Sequence, residues 1–314
     1  MCSIRQVTPF LRMLVATAVL VAAGAAAAAG LNQPGDHRVS LRHGGLEREF
    51  LVHVPRTLAP GAAVPLVLAL HGGGGDMEHM ARDDRYGLIT KSDQAGFIAV
   101  FPNGFSRLRS GKIATWNAGN CCGAARDRNI DDVGFLRAVI AQVAAQAPVD
   151  RSRVFAIGMS NGGMMAYRLA CEASDLLRGI MAVAGTDNTQ TCSPARPVPV
   201  LHIHARNDDR VLFNGGAGAA SRDPDLMTDF ISVPATVAKW QRLNRTNAAA
   251  TPILSVPGAI CERYAGSAPV QLCVTETGAH SWPGGTKRRG EEPSQAIRAN
   301  DVMWAFFFGV VSAL

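Results

Sequence analysis

Ser160 stands in Gly158-Met159-Ser160-Asn161-Gly162, a G-x-S-x-G stretch that directly follows the apolar run Val154-Phe155-Ala156-Ile157. The residues after it, 163–171, read as a helix, so a buried strand must turn sharply into a helix at the serine. Such a reversal strains the serine backbone, and side chains at Gly158 and Gly162 would collide with the neighbouring strand and helix. The hydroxyl is then presented at the carboxyl edge of a sheet. There the Asn161 amide and a helix N-terminus face the spot where negative charge develops in acyl transfer. The pattern is loose by itself; its flanking strand and helix mark the serine as a nucleophile.

A serine alone attacks poorly and needs a base held by an acid, which in this strand-to-helix setting follow in the order serine, acid, histidine. His204-Ala205-Arg206-Asn207-Asp208 leaves an apolar run at 198–203 and puts Asp208 where an orienting carboxylate belongs. Asp209 is the rival, but Asp208 lies nearer the strand end and is followed by Val211, which docks the loop. His280, in Gly278-Ala279-His280-Ser281-Trp282-Pro283-Gly284-Gly285, is the only histidine after His204 and is the expected base. On the oxyanion side, His71-Gly72-Gly73-Gly74-Gly75-Asp76 follows the run 64–70. Without side chains its amides approach a substrate carbonyl closely, and the Gly73 and Asn161 amides are the expected donors, with Gly74 next in line. One such donor contributes about 3 kcal/mol to the transition state. A phosphate cradle would call for G-K-[ST], which does not follow. His202 and His204 share one strand face and, with Asp208, suggest a metal site, but such spacing would want another histidine soon after, none is there, and no metal is expected.

These residues need a scaffold, and the pattern supplies one. Residues 38–41 and 47–53 read as two strands around a turn at Gly44-Gly45. Central strands are expected at 64–70, 97–101, 153–157, 180–183, 198–204 and 270–275. Helices are expected at 82–95, 131–147, 161–170, 233–244 and 301–314. Asp131 is placed to cap the second of these, and Ser232 with Pro234 marks the start of the fourth. Met164-Met165 reads as core packing. Strand and helix alternate, which predicts an α/β fold: a mostly parallel central sheet with helices on both faces, in a single domain.

The chain has 314 residues and is 47% hydrophobic, enough for one substantial core. Arg5 and Arg12, an apolar stretch at 13–23 and small residues at 24–29 read as a secretory signal peptide spanning 1–29, with the enzyme domain over 30–314. The apolar stretch is short for a membrane anchor, so no stable membrane insertion is expected. Export puts the remaining six cysteines in an oxidising compartment, where disulfides are the default. Cys171 with Cys192 would tie the end of the serine helix to a later loop, and Cys261 with Cys273 would close a hairpin-like segment. Cys121 and Cys122 would then pair with each other, although sequence does not fix connectivity. No C-x-x-C spacing or nearby histidine cluster favours a metal instead. The net charge is +6, but the basic residues are scattered apart from Lys287-Arg288-Arg289, and aromatics at 6% are not interleaved with them. Nucleic acid is therefore not an expected partner, and that run reads as a solvated loop.

Five stretches together give the chain a family resemblance: Leu70-His71-Gly72-Gly73-Gly74-Gly75, Trp116-Asn117-Ala118-Gly119-Asn120-Cys121-Cys122-Gly123, Asp131-Asp132-Val133-Gly134-Phe135, residues 158–165 and residues 278–285. With them, it resembles the secreted esterases that include poly(3-hydroxybutyrate) depolymerases and feruloyl or acetylxylan esterases. The resemblance covers nearly all of the chain beyond the leader. It implies an α/β-hydrolase fold, a triad of Ser160, Asp208 and His280, and no cofactor. Where such esterases show H-G-x-x-D, this chain has Ala205 in the glycine's place and a second aspartate. Where they often carry a cysteine after the helix ending near Asn244, it has Asn247 and alanines, which shifts the expected pairing towards Cys261 with Cys273. Trp116 and Trp282 are candidate walls of an acyl or aromatic pocket. The expected activity is hydrolysis of hydroxyalkanoate esters, polymer or oligomer. With no separate binding module evident, soluble oligomers or small esters, or a polymer attacked without a tether, are favoured. Cell-wall feruloyl or acetylxylan esters are the alternative within enzymes; a non-catalytic binding module on the same fold is the alternative of another class.

Overall fold

A computed structural model describes residues 1–2, 30–59, 61–219, 221 and 229–309. The expected signal peptide falls almost wholly outside the described residues, as do positions 310–314 of the expected last helix. Leu31–Leu314 makes up one compact unit.

Among the described residues ten strands form one sheet: β1 (Gly35–His43), β2 (Leu46–Val54), β3 (Val64–Leu70), β4 (Ile98–Pro102), β5 (Val149–Met159), β6 (Gly179–Val183), β7 (Val200–Ala205), β8 (Thr251–Val256), β9 (Ala259–Tyr264) and β10 (Val270–Thr275). Their spatial order is β1-β2-β4-β3-β5-β6-β7-β10-β9-β8. The six central strands, β4 to β10 in that order, run parallel, and antiparallel pairs close both edges. The helices are α1 (Met77–Met80), α2 (Asp83–Tyr86), α3 (Leu88–Ala95), α4 (Gly123–Asp127), α5 (Asp132–Gln146), α6 (Asn161–Glu172), α7 (Val233–Asn244) and α8 (Ala299–Phe308). The mostly parallel sheet with helices on both faces is the fold class expected from the alternation.

The apolar runs are continuous because both faces of each central strand are buried. In β3, Leu66, Leu68 and Leu70 join a core that also holds Phe135, Tyr167 and Trp240 from α5, α6 and α7. Val67 and Ala69 point the other way, into a core with Leu88 and Met303 from α3 and α8. Helix starts follow their caps: Asp131 accepts from Gly134 N at 2.8 Å and Ser232 from Ala235 N at 3.1 Å.

Two local expectations differ from the structure. The single helix over 82–95 is broken at Gly87, whose left-handed φ of 62° ends α2 before α3 begins. The Asn300 amide fills that corner by donating to Tyr86 O at 2.7 Å. The hairpin β8–β9, which turns at Gly258 (φ 84°), was not expected as strand. It lies at a sheet edge and β8 is largely exposed, so it carries no buried apolar run.

Candidate active site

Ser160 sits between β5 and α6 with φ 55° and ψ −124°, a backbone conformation that L-residues rarely adopt. The glycines around it are required by contact. A Cβ at Gly158 would overlap the Gly162 carbonyl, one at Gly162 would overlap the Leu70 carbonyl, and one at Gly185 would overlap the carbonyl of Ser160 itself. The end of β3, the end of β5 and the start of α6 are thus pressed together, and the turn has nowhere to relax.

The His71–Gly75 loop packs across this turn. Gly74 N donates to Ala114 O at 2.9 Å and Gly75 N to Gly72 O at 3.0 Å, so those two amides are occupied. Among the described residues the Gly73 and Asn161 amides have no such partner, and both residues line the cavity that contains Ser160. His71 is wholly buried beneath the loop. Gly104 N donates to its Nε2 at 2.9 Å, which leaves Nδ1 to donate to Gly72 O at 2.8 Å. Burial lowers its imidazole to about 4, so the ring is neutral and serves as a strut.

Asn161 does two jobs. Its main chain opens α6, while its side-chain amide pairs with the Trp116 backbone, accepting from Trp116 N at 2.7 Å and donating to Trp116 O at 3.0 Å. Trp116 therefore departs from the expected pocket wall: it is fully buried and donates Nε1 to His71 O at 3.0 Å. Its indole braces the glycine loop from behind. The rest of the 116–123 stretch is anchored by Asp132, which accepts from Asn117 N and from the Arg48 guanidinium, both at 2.8 Å. Arg48 lies 3.9 Å over the Phe135 ring, and a Cβ at Gly134 would overlap the Asp131 cap. Residues 131–135 are thus a clamp for the 116–123 stretch. Cys121 and Cys122 are joined to each other within it.

Opposite the serine, His280 Nδ1 lies 2.8 Å from Asp208 Oδ2. Asp208 also accepts from the amides of Arg210 and Val211, each at 2.9 Å. Burial alone would raise its carboxyl, but attraction to His280 and hydrogen bonds from His204 and His280 hold it well below the usual carboxylate range. Asp209, the rival acid, is exposed. Ser160 and His280 line one cavity of about 590 Å³ and make no direct hydrogen bond there; such contacts tighten on substrate binding. Trp282 lines the same cavity, its ring edge-on to Tyr86 with 5.6 Å between centroids, and Met159, Met164, Val211 and Phe230 add apolar wall. Met164, expected only as core, is thus also a surface of the site.

Several partners escaped sequence reasoning. Asn207 accepts from Ala279 N at 3.0 Å, and Glu291 accepts from Gly278 N at 2.7 Å and from the Asn207 amide at 2.9 Å, so the two bracket the histidine loop. Behind Asp208 runs a buried chain: Tyr167 OH to His202 Nδ1 at 2.8 Å, His202 Nε2 to His204 Nδ1 at 3.1 Å, and His204 Nε2 to Val211 O at 2.8 Å and Asp208 Oδ2 at 3.3 Å. A carbonyl only accepts, so His204 must carry its proton on Nε2, His202 likewise, and Tyr167 must donate. Burial drives the His202 ring well below its ordinary value, consistent with its accepting from Tyr167 as a neutral ring. The ring nitrogens that a metal would need at His202 and His204 are therefore committed. The six cysteines pair as Cys121–Cys122, Cys171–Cys192 and Cys261–Cys273, the last across directly opposed positions of β9 and β10.

The family model described as Esterase PHB depolymerase matches residues 52–228, more than half of the chain; the match includes Ser160 and Asp208 and ends before His280. NocK of Nocardia uniformis subsp. tsuyamanensis, provisionally named an esterase, is 32% identical over 77% of this chain and 72% of its own length. Feruloyl esterase B of Piromyces equi is 28% identical over 74% of this chain, which spans only 42% of that protein. Among solved structures, an acetyl xylan esterase from Aspergillus awamori matches with a TM-score of 0.60 over 86% of this chain and 98% of that one. At 14% identity this is a likeness of fold alone.

Proposed function

Because the chain belongs to the esterase PHB depolymerase family, we propose that it is a serine carboxylic-ester hydrolase working through an acyl-enzyme on Ser160. The observation that carries this reading is the buried Asp208–His280 pair facing a strained Ser160 in one cavity, beside two unoccupied amides. His280 Nε2 takes the Ser160 proton as Oγ bonds to the ester carbon, and the Gly73 and Asn161 amides receive the oxyanion. The carbon–oxygen bond to the alcohol then breaks, and the alcohol leaves with the proton from His280. Water repeats the sequence on the acyl-enzyme and frees the acid. Asp208 keeps the imidazole in the Nδ1–H tautomer throughout.

Hydroxyalkanoate esters are the proposed substrates, with Trp282 and Tyr86 as the wall of the acyl site. Cell-wall feruloyl or acetylxylan esters are the second reading, supported by the names of relatives such as feruloyl esterase B. Export follows from the leader-like residues 1–29 and is supported by the three disulfides. A fluorophosphonate should label the wild-type protein and not Ser160→Ala; an unlabelled wild type would overturn the hydrolase reading. A side-by-side screen of hydroxybutyrate oligomers, methyl ferulate, acetylated xylan and 4-nitrophenyl esters ranks the substrates.

A further inference from the structure

Among the described residues, Arg85 Nε is buried and has no hydrogen-bond partner. Its side chain lines the cavity of Ser160 and His280, and it also lines an adjoining space of about 450 Å³ walled by Arg85, Lys287, Arg288 and Arg289. Among the described residues none of these four cations forms an ion pair, whereas Arg38, Arg82, Arg137 and Arg153 elsewhere on the surface do. Lys287 donates to the main-chain oxygen of His280 at 3.3 Å, which ties the cluster to the histidine loop. Among the described residues the neighbouring acids are engaged elsewhere, Asp84 by Arg82 at 2.6 Å. Asp76, the single carboxylate on the described cavity lining, is 3.1 Å from Lys112, and Glu291 is taken up by Gly278 N and the Asn207 amide. The backbone holds the cluster in place: Thr286 N donates to Arg85 O at 3.2 Å, and Gly285 is packed so closely that a Cβ would overlap that oxygen.

Four cations that form no ion pair among the described residues, at one rim of an ester site and one of them with a buried, unpartnered donor, suit an anion there. We propose that Arg85, Lys287, Arg288 and Arg289 form a carboxylate subsite, and that the enzyme prefers esters that carry a free carboxylate. The proposal rests on the esterase reading and narrows its substrate class. Each cut in a hydroxyacid polyester leaves a fragment with a carboxylate end, so oligomers of that kind meet the requirement by their own chemistry. Neutral acetyl esters of polysaccharide do not.

The test compares esters that differ only in that charge. On the acyl side, mono-4-nitrophenyl glutarate is set against 4-nitrophenyl methyl glutarate; on the alcohol side, 3-acetoxybutyrate is set against 3-acetoxybutyramide. The charged member of at least one pair should show roughly ten- to a hundredfold higher kcat/KM, mostly through KM. That preference should shrink with added salt. It should collapse in Arg288→Gln/Arg289→Gln and in Arg85→Gln, while Arg288→Gln/Arg289→Gln, outside the cavity of Ser160, turns over 4-nitrophenyl acetate at the wild-type level. Equal rates within both pairs, or a preference unchanged in both variants, overturn the subsite while fluorophosphonate labelling still upholds the esterase. Failure of labelling and of all ester turnover would instead overturn the reading on which it rests.

Discussion

At the scale of single residues, charge and hydrogen bonding separate two neighbouring aspartates that the sequence presents as equals. Asp208→Asn should lower kcat on the order of 10³- to 10⁴-fold, because an amide in that place stabilises the wrong imidazole tautomer. Asp209→Asn, exposed, should change kcat by less than about twofold; a larger loss from it in the same assay would reverse the assignment. His204 acts through Asp208. His204→Phe keeps the ring and removes the donor, and should cut kcat about tenfold with KM little changed, in steady-state kinetics on a 4-nitrophenyl ester. His71 writes a pH dependence into stability. Its folded value of about 4 lies below the unfolded value near 6.5, so the unfolded chain binds the proton first as pH falls. Its contribution is complete above about pH 6.5 and is lost progressively towards pH 4, up to roughly 3 kcal/mol. Urea midpoints across that window should fall less steeply in His71→Gln. Asp208, held down rather than up the acid scale, contributes above about pH 4 and loses its share only below it.

At the scale of elements, the site depends on three chain segments that touch without side chains between them. Gly162→Ala forces a methyl into the Leu70 carbonyl and should destabilise the fold by about 3 kcal/mol or more, read as a lower thermal midpoint. Asp132→Asn leaves the Arg48 guanidinium buried without its counter-charge, at a cost of about 3–5 kcal/mol, and frees the 116–123 stretch that it anchors. The strands that carry the candidate triad were legible because they are buried on both faces and read as unbroken apolar runs. Ser160 and His280 were legible through the glycines their turns require, and Asp208 through its distance from a strand end. The β8–β9 hairpin was not, since a half-exposed edge gives no run to read. Neither were Asn207 and Glu291, which bond to each other 84 positions apart along the chain, where local pattern holds no trace; His204 was read beside Asp208 only as part of a metal site, not as its hydrogen-bonding neighbour. Trp116 shows the same limit in reverse: an aromatic beside a motif looks like a substrate wall until its burial behind the glycine loop is seen.

At the scale of the whole molecule, the disulfides act as staples on the α6 face and at the β9 edge. Removing Cys171–Cys192 with a paired serine substitution should cost about 3 kcal/mol by the loop-closure estimate for a separation of 21 residues, seen as a lower urea midpoint with unchanged slope. An unchanged midpoint would mean that the loop is held by its other contacts. The order of strands in the sheet carries a consequence of another kind. β10, which delivers His280, pairs in parallel with β7 and lies three positions from β5, which delivers Ser160. His280 leaves the ribosome 120 residues after Ser160, a delay of about ten seconds at ordinary synthesis rates. In the proposed mechanism a nascent chain therefore carries Ser160, its sharp turn and the glycine loop well before His280, and ester hydrolysis would wait until the last parallel strand has docked.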